Sequence, residues 1–209
     1  MRRLFVLLFL LSVSSIKGQT SNFETSITVA TQYYNQISKD EQYANSLKQF
    51  KVLSNTFPNE WLPKYYAALV QFKIALLSKD NMDAQADIGI DWINKCKQLQ
   101  INDEILCAES LAYTIKMQVN PAWRWFSYKD RIYGSLQKAK KINPNNPRIY
   151  VLEASLQFNL PKLLGGGCDK ALPIAKQAEK ILKLEEGKRG YLPSWGFTSI
   201  KEIFTNCKY

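Results

Sequence analysis

Two stretches of this chain, 86 residues apart, carry the same landmarks, and that recurrence restricts the fold more than any other feature. Pro58 is followed by Ala68, Gln71 and Phe72, and Pro144 is followed at the same spacings by Ala154, Gln157 and Phe158. Half of 86 is 43, which places a middle corner near position 101, where Ile101-Asn102-Asp103 interrupts two apolar-periodic segments. Small or apolar residues fall 12, 8 and 5 positions before each corner: Ser46, Phe50 and Leu53; Gly89, Ile93 and Cys96; Ile132, Leu136 and Ala139. Spacings of four and three put each trio on one face of a helix. A period that holds two helices describes stacked antiparallel hairpins, each burying its apolar face on its neighbours. No strand of convincing alternation interrupts them, so the expected class is all-α, about four hairpins plus a C-terminal helix. The helices are expected over 22–38, 41–56, 60–78, 83–100, 103–119, 129–142, 147–159, 170–184 and 194–206.

Ala139 with Pro144, then Tyr150 and Ala154, and Phe50 with Pro58 and Ala68, resemble the signature of the tetratricopeptide repeat. That family has a period of about 34 residues, so the hairpins here are longer. The extra residues are expected between the two helices of a hairpin, in the breaker-rich stretches 78–83, 120–128 and 161–169. Asn146-Pro147-Arg148 with Gly165-Gly166-Gly167, and Pro193-Ser194-Trp195-Gly196 with Cys207, are similar to exported bacterial proteins that carry such repeats.

The resemblance implies a concave surface lined by the first helix of each hairpin. On this chain it implies Leu62, Tyr65, Leu69, Phe72 and Lys73; then Ile105, Ala108, Ala112, Ile115 and Lys116; then Arg148, Val151, Ser155, Phe158 and Asn159. The implied partner-binding set is Tyr65, Leu69, Phe72, Lys73, Ile115, Lys116, Arg148 and Phe158, an apolar groove with Lys73 above Lys116 along one edge. A protein-interaction scaffold is the expected role, holding a protein or peptide of the cell envelope. A solute-binding accessory of a transporter, with a small ligand in the same groove, is the alternative.

Residues 1–19 read as a secretory leader: Arg2 and Arg3, an apolar run over 4–13, then small residues. The run is shorter than the ~20 residues that span a bilayer, and no later stretch is long and apolar enough. The expected product is exported, a single repeat domain over 20–209 with no transmembrane segment. Removing the leader takes Arg2, Arg3 and Lys17 from 28 basic residues, leaving 25 against 18 acidic ones and a net charge of +7. Lysines and acids alternate along the helices, which describes solvated faces rather than a nucleic-acid site.

Four cysteines in an exported chain invite pairing. Cys96 and Cys107 lie at similar distances on either side of the Ile101 corner, and Cys168 and Cys207 flank the 186–191 connection in the same way. Cys96–Cys107 and Cys168–Cys207 are therefore expected among the three pairings open to four cysteines, with small buried thiols as the competing reading for the first pair.

The chain has no histidine, which removes the Ser-His and Cys-His nucleophiles and the commonest general base. No Cys-x-x-Cys offers a metal site, and the triple glycine lacks the lysine and hydroxyl of a phosphate loop. No enzyme, cofactor or metal is expected. Trp123-Arg124-Trp125-Phe126 is expected to pack inward, and Trp195 to seat the last helix rather than to bind sugar.

Overall fold

Short polar side chains and prolines open three of the helices. The Asn102 side chain accepts the Ile105 amide at 2.9 Å and the Asn146 side chain accepts the Arg148 amide at 2.8 Å, each filling an otherwise unsatisfied donor of a first turn. Pro121 and Pro147 open their helices at positions whose amides need no partner. In the computed structural model, which describes residues 22–78 and 80–207, nine helices result. They are α1 (22–35), α2 (Gln42–Thr56), α3 (Trp61–Leu77), α4 (Met82–Leu99), α5 (Asp103–Gln118), α6 (Pro121–Ile142), α7 (Pro147–Asn159), α8 (Cys168–Glu185) and α9 (Phe197–Asn206). A 3-10 turn, Lys162–Leu164, follows α7, and the described residues contain no strand. The leader expected over 1–19 lies outside the described residues.

The closest packing joins α3 to α4, α5 to α6 and α7 to α8, so the chain is a series of hairpins. The first helices also touch in succession, α3 to α5, α5 to α7 and α7 to α9, and make an inner row. Ahead of them, α1 packs through aromatic edges on α2 and its end, Phe23 on Phe57 at 5.2 Å and Tyr34 on Phe50 at 6.3 Å, and on α3, Tyr34 on Tyr66 at 5.8 Å.

The three trios that precede the corners are buried, apart from a half-buried Leu53. The two proline corners share a further device. Lys64 donates to the Pro58 carbonyl at 2.7 Å, and Tyr150, which stands in the same place one double period later, donates to the Pro144 carbonyl at 2.8 Å. Corners also bind one another: Asn143 and Asn146 both donate to Asp103 at 2.8 Å, tying the start of α7 to the start of α5.

Three expectations are corrected. The 120–128 stretch is not an insertion between helices but the first two turns of α6, because Pro121 sits where a helix tolerates proline best. That helix carries Trp123 and Phe126 on its outer side, 80% and 68% exposed, so the aromatic cluster does not pack inward as a unit. Only Trp125 turns in, edge-on to Tyr133, while Arg124 is held by Asp83. Of the two expected disulfides, Cys168–Cys207 is present and ties the start of α8 to the end of α9, but Cys96 and Cys107 are free and buried. Cys96 belongs to one apolar cluster and faces α3, its thiol donating to the Trp61 carbonyl at 3.6 Å, whereas Cys107 belongs to a second apolar cluster with Ala139, Tyr150 and Ala171. Equal distance from a corner does not make two residues face each other when their helices turn those faces to different neighbours. Burial pushes the Cys96 thiol up to about 12 and leaves it inert.

Alkylation in denaturant without reductant is therefore expected to label Cys96 and Cys107 and to spare Cys168 and Cys207, read as two adducts by intact mass. A methyl group on Gly89 would lie 2.2 Å from the Phe72 ring. Gly89→Ala is expected to displace that ring and destabilise the fold by about 1–3 kcal/mol, measured by urea unfolding.

Candidate functional site

The inner row of helices borders a cavity of about 1160 Å³. Its walls are mainly apolar, as an amphipathic repeat dictates once each hairpin has buried its other faces. α3 supplies Leu69, Phe72, Lys73 and Leu76; α5 supplies Leu111, Thr114, Met117 and Gln118; α7 supplies Val151, Ser155, Phe158 and Asn159. The end of α1 closes one side with Tyr34 and Asn35, and the start of α6 adds Pro121, Ala122 and Trp125. The far side is closed by the approach to α9 and its first turns, from Ser194 through Trp195 and Phe197 to Glu202. Gly196 allows this close approach: its φ is 119°, and a Cβ there would lie 2.8 Å from a Val151 methyl.

Four of the eight residues expected to bind a partner line this cavity: Leu69, Phe72, Lys73 and Phe158. The other four lie elsewhere. Ile115 is core, 1% exposed. Lys116 turns from the cavity to α4, where it pairs with Asp83 at 2.8 Å and Asp87 at 2.7 Å, so no Lys73–Lys116 edge forms. The face that α5 shows the cavity is Leu111, Thr114, Met117 and Gln118, a neighbouring stripe of the helix.

Tyr65 and Arg148 belong to a buried polar network behind the cavity wall. The Trp195 indole, which does line the cavity, donates to the Tyr65 hydroxyl at 2.8 Å. That hydroxyl lies 3.4 Å from Glu104. Glu104 accepts from Arg148 at 3.0 and 3.2 Å and from Arg189 at 2.7 Å, and Arg148 reaches on to Glu185 at 2.7 Å. Two arginines and two glutamates thus close a neutral set joining α5, α7, α8 and the α8–α9 connection. Arg189 also donates to the Pro193 carbonyl at 3.0 Å, and Tyr66 to the Tyr191 carbonyl at 2.9 Å, which fixes the segment leading to Trp195. Burial pushes the Glu104 carboxyl above its ordinary range, against the pull of both arginines.

Lys73 and Glu202 are the charged side chains among the described lining residues, and they sit on different walls. Lys73 makes no ion pair among the described residues, so its ammonium is available to an anionic group of a ligand. The Tyr34 phenol, pushed up by burial, stays neutral. The described residues contain no group of three or more cysteine, aspartate or glutamate side chains that could hold a metal. What the arrangement can do is enclose an apolar, flat or branched molecule, with aromatic rings on several walls and one cation for an acidic edge. Of the inner-face residues implied by the resemblance, Leu69, Phe72 and Lys73 on α3 and Val151, Ser155, Phe158 and Asn159 on α7 border the cavity. The α1, α6 and α9 walls carried only the aromatic signals of Tyr34, Trp125 and Trp195, which do not say what they face.

This architecture belongs to the class of all-helical proteins with a ligand-sized cleft on the inner face of stacked helices. No protein-family model matches the chain, the tetratricopeptide repeat included, and no curated protein matches it. Among solved structures it is similar to the HusA haemophore from Porphyromonas gingivalis, at a TM-score of 0.78 and 26% identity. The likeness covers 87% of this chain and 90% of that one.

Arg148→Met is expected to destabilise the fold by about 3–5 kcal/mol, because it takes from Glu104 and Glu185 the buried cation they share and leaves Glu104 with Arg189 alone. A carboxyl whose folded pKa lies above its unfolded one binds more protons when folded, so this loss is expected to shrink as pH falls toward the ordinary carboxylate range. Urea unfolding of variant and wild type across that range measures both effects.

Proposed function

We propose that this chain is an exported carrier that holds a tetrapyrrole, haem being the first candidate, in the cavity of its inner face. The observation that carries the reading is the cavity itself: about 1160 Å³, walled by Phe72, Trp125, Phe158, Trp195 and Phe197, on a backbone shared with a haemophore over most of both chains. Pockets for drug-sized ligands run to about 1,000 Å³, so a large flat molecule suits this one. Aromatic walls stack on a macrocycle, and the unpaired Lys73 suits a carboxylate on its edge. With no histidine in the chain, retention rests on apolar contact, stacking and this charge, and haem is cargo here rather than a working cofactor. The role is binding and transfer, in line with the solute-binding accessory expected as the alternative, and not catalysis.

The first sequence expectation, a scaffold for an envelope protein or peptide, has less support. The 194–203 segment walls off the side along which an extended peptide would leave the inner face. The export expected from the leader agrees with the disulfide between Cys168 and Cys207, since such bonds persist in oxidising compartments.

Titration with haem is expected to give saturable one-to-one quenching of tryptophan fluorescence, since Trp125 and Trp195 line the cavity. Leu76→Arg, at a lining residue that is 38% exposed, is expected to weaken the quenching strongly with circular dichroism unchanged. Lys73→Glu is expected to weaken binding roughly tenfold, or about 1.4 kcal/mol. Haem that leaves the fluorescence unchanged, or binds all three proteins alike, would remove the tetrapyrrole from this cavity.

A further inference from the structure

Six large apolar side chains stand in water at one end of the molecule: Leu77, Val119, Trp123, Phe126, Leu163 and Leu164. Alternate helices of antiparallel hairpins run in the same direction, so the C-termini of α3, α5 and α7 share that end. Leu77 ends α3, Val119 lies between α5 and α6, Trp123 and Phe126 are in the first turns of α6, and Leu163 and Leu164 are in the 3-10 turn after α7. Trp123 is 80% exposed and Leu163 96%, so neither contributes to the core. Single exposed apolar residues need no explanation, but six gathered on successive turns do. The cavity reaches the same end, where Pro121, Ala122, Pro161 and Leu164 line it.

We propose that this end docks on the surface of a phospholipid bilayer, with Trp123, Phe126 and Leu163 entering the interfacial layer. The apolar residues project from separate turns instead of bordering a groove, so together they suit a planar surface better than a helix or strand of a partner. Tryptophan, phenylalanine and leucine beside lysine is the composition of segments that rest at a membrane interface. Lys129 lies 5.8 Å over the Phe126 ring, and Lys162 adjoins Leu163. Both have stems long enough to follow an inserted neighbour and keep the ammonium among headgroups. Acids of the same end, Asp80 and Asp130 among them, match these lysines, so attachment rests on apolar insertion rather than on lipid charge. No helix among the described residues is long and apolar enough to cross the membrane, so the chain would lie on it. A cavity mouth pressed to a bilayer gives an apolar ligand a path between the two without crossing water. The docking itself stands on the exposed turns and does not depend on which ligand the cavity holds.

The test is sedimentation of the exported chain with sucrose-loaded vesicles, one set of phosphatidylcholine and one with a fifth of phosphatidylglycerol. The expected result is co-sedimentation with both, insensitive to salt. In W123S/F126S/L163S, which touches no residue lining the cavity, partitioning is expected to fall at least about tenfold, with circular dichroism and haem titration as in wild type. Wild-type protein left in the supernatant with both vesicles would overturn the proposal. So would a variant that sediments like wild type, or binding confined to phosphatidylglycerol and lost at high salt, which would mean attachment by charge alone. A lipid-free dimer by light scattering that the triple variant abolishes, with no vesicle binding, would assign the face to a second copy and overturn it equally.

Discussion

The rest of the structure depends on one buried cation. Arg148 is completely enclosed, yet it belongs to the helix that forms the middle of the cavity wall. Enclosing a guanidinium is tolerable only when its charge is met and its donors are used. Glu104 on α5 and Glu185 on α8 meet the charge, and Arg189 from the α8–α9 connection completes the set. The arrangement is specific in a way that apolar packing is not. A leucine tolerates a small rotation of its helix, whereas a guanidinium shared between two carboxylates fixes the relative position of every helix that supplies one. This is how the third hairpin is placed on the second, and how the segment before α9 is drawn back across the inner face.

The hairpins and their corners were legible because their causes are local. A proline corner, a capping asparagine and apolar residues at helical spacing act within one or two turns, and each reads off the chain directly. On α3 and α7, which start a fixed count after a proline, most of the implied inner residues border the cavity, but Tyr65 and Arg148 turn to the polar network behind it. The face of α5 did not follow. Its corner has no proline, and Lys116 is drawn to Asp83 and Asp87, which lie about one hairpin earlier on α4. The same kind of distant partner undid the Cys96–Cys107 pairing. Each cysteine had a plausible neighbour across the corner, but Trp61 and the second apolar cluster decided where the two thiols point. At α6 the failure was different. Pro121 was read as a breaker, although proline in a first turn favours a helix.

The cavity was half legible for a related reason. A repeat pattern states which faces are inner, but not whether anything closes them. Closure here comes from α1 and α9, the first and last of the described helices, neither of which repeats. Tyr34, Trp125 and Trp195 announce themselves as large side chains that need burial or a partner, yet only the folded chain shows that they converge on one space. Trp195 is the clearest case. It does seat the last helix, through Tyr65 at 2.8 Å, and it is also part of the cavity wall.

That double role explains why the wall is held by more bonds than a surface segment needs. The stretch from Gly187 to Gly196 contains three glycines of positive φ and would be mobile by itself. Arg189 and the Tyr66–Tyr191 hydrogen bond hold it from within, and the disulfide from Cys168 to Cys207 fixes the far end of α9. Ordering is thus completed on folding, before a ligand arrives. In the carrier proposed above, such a rigid cavity would spare binding the entropy of closing a loop, so that retention would rest on apolar contact and one lysine rather than on stronger ligation. For a carrier this balance has a further use. Retention spread over many weak apolar contacts is lost progressively as the ligand slides toward an apolar surface, whereas a single strong coordinate bond would have to break at once.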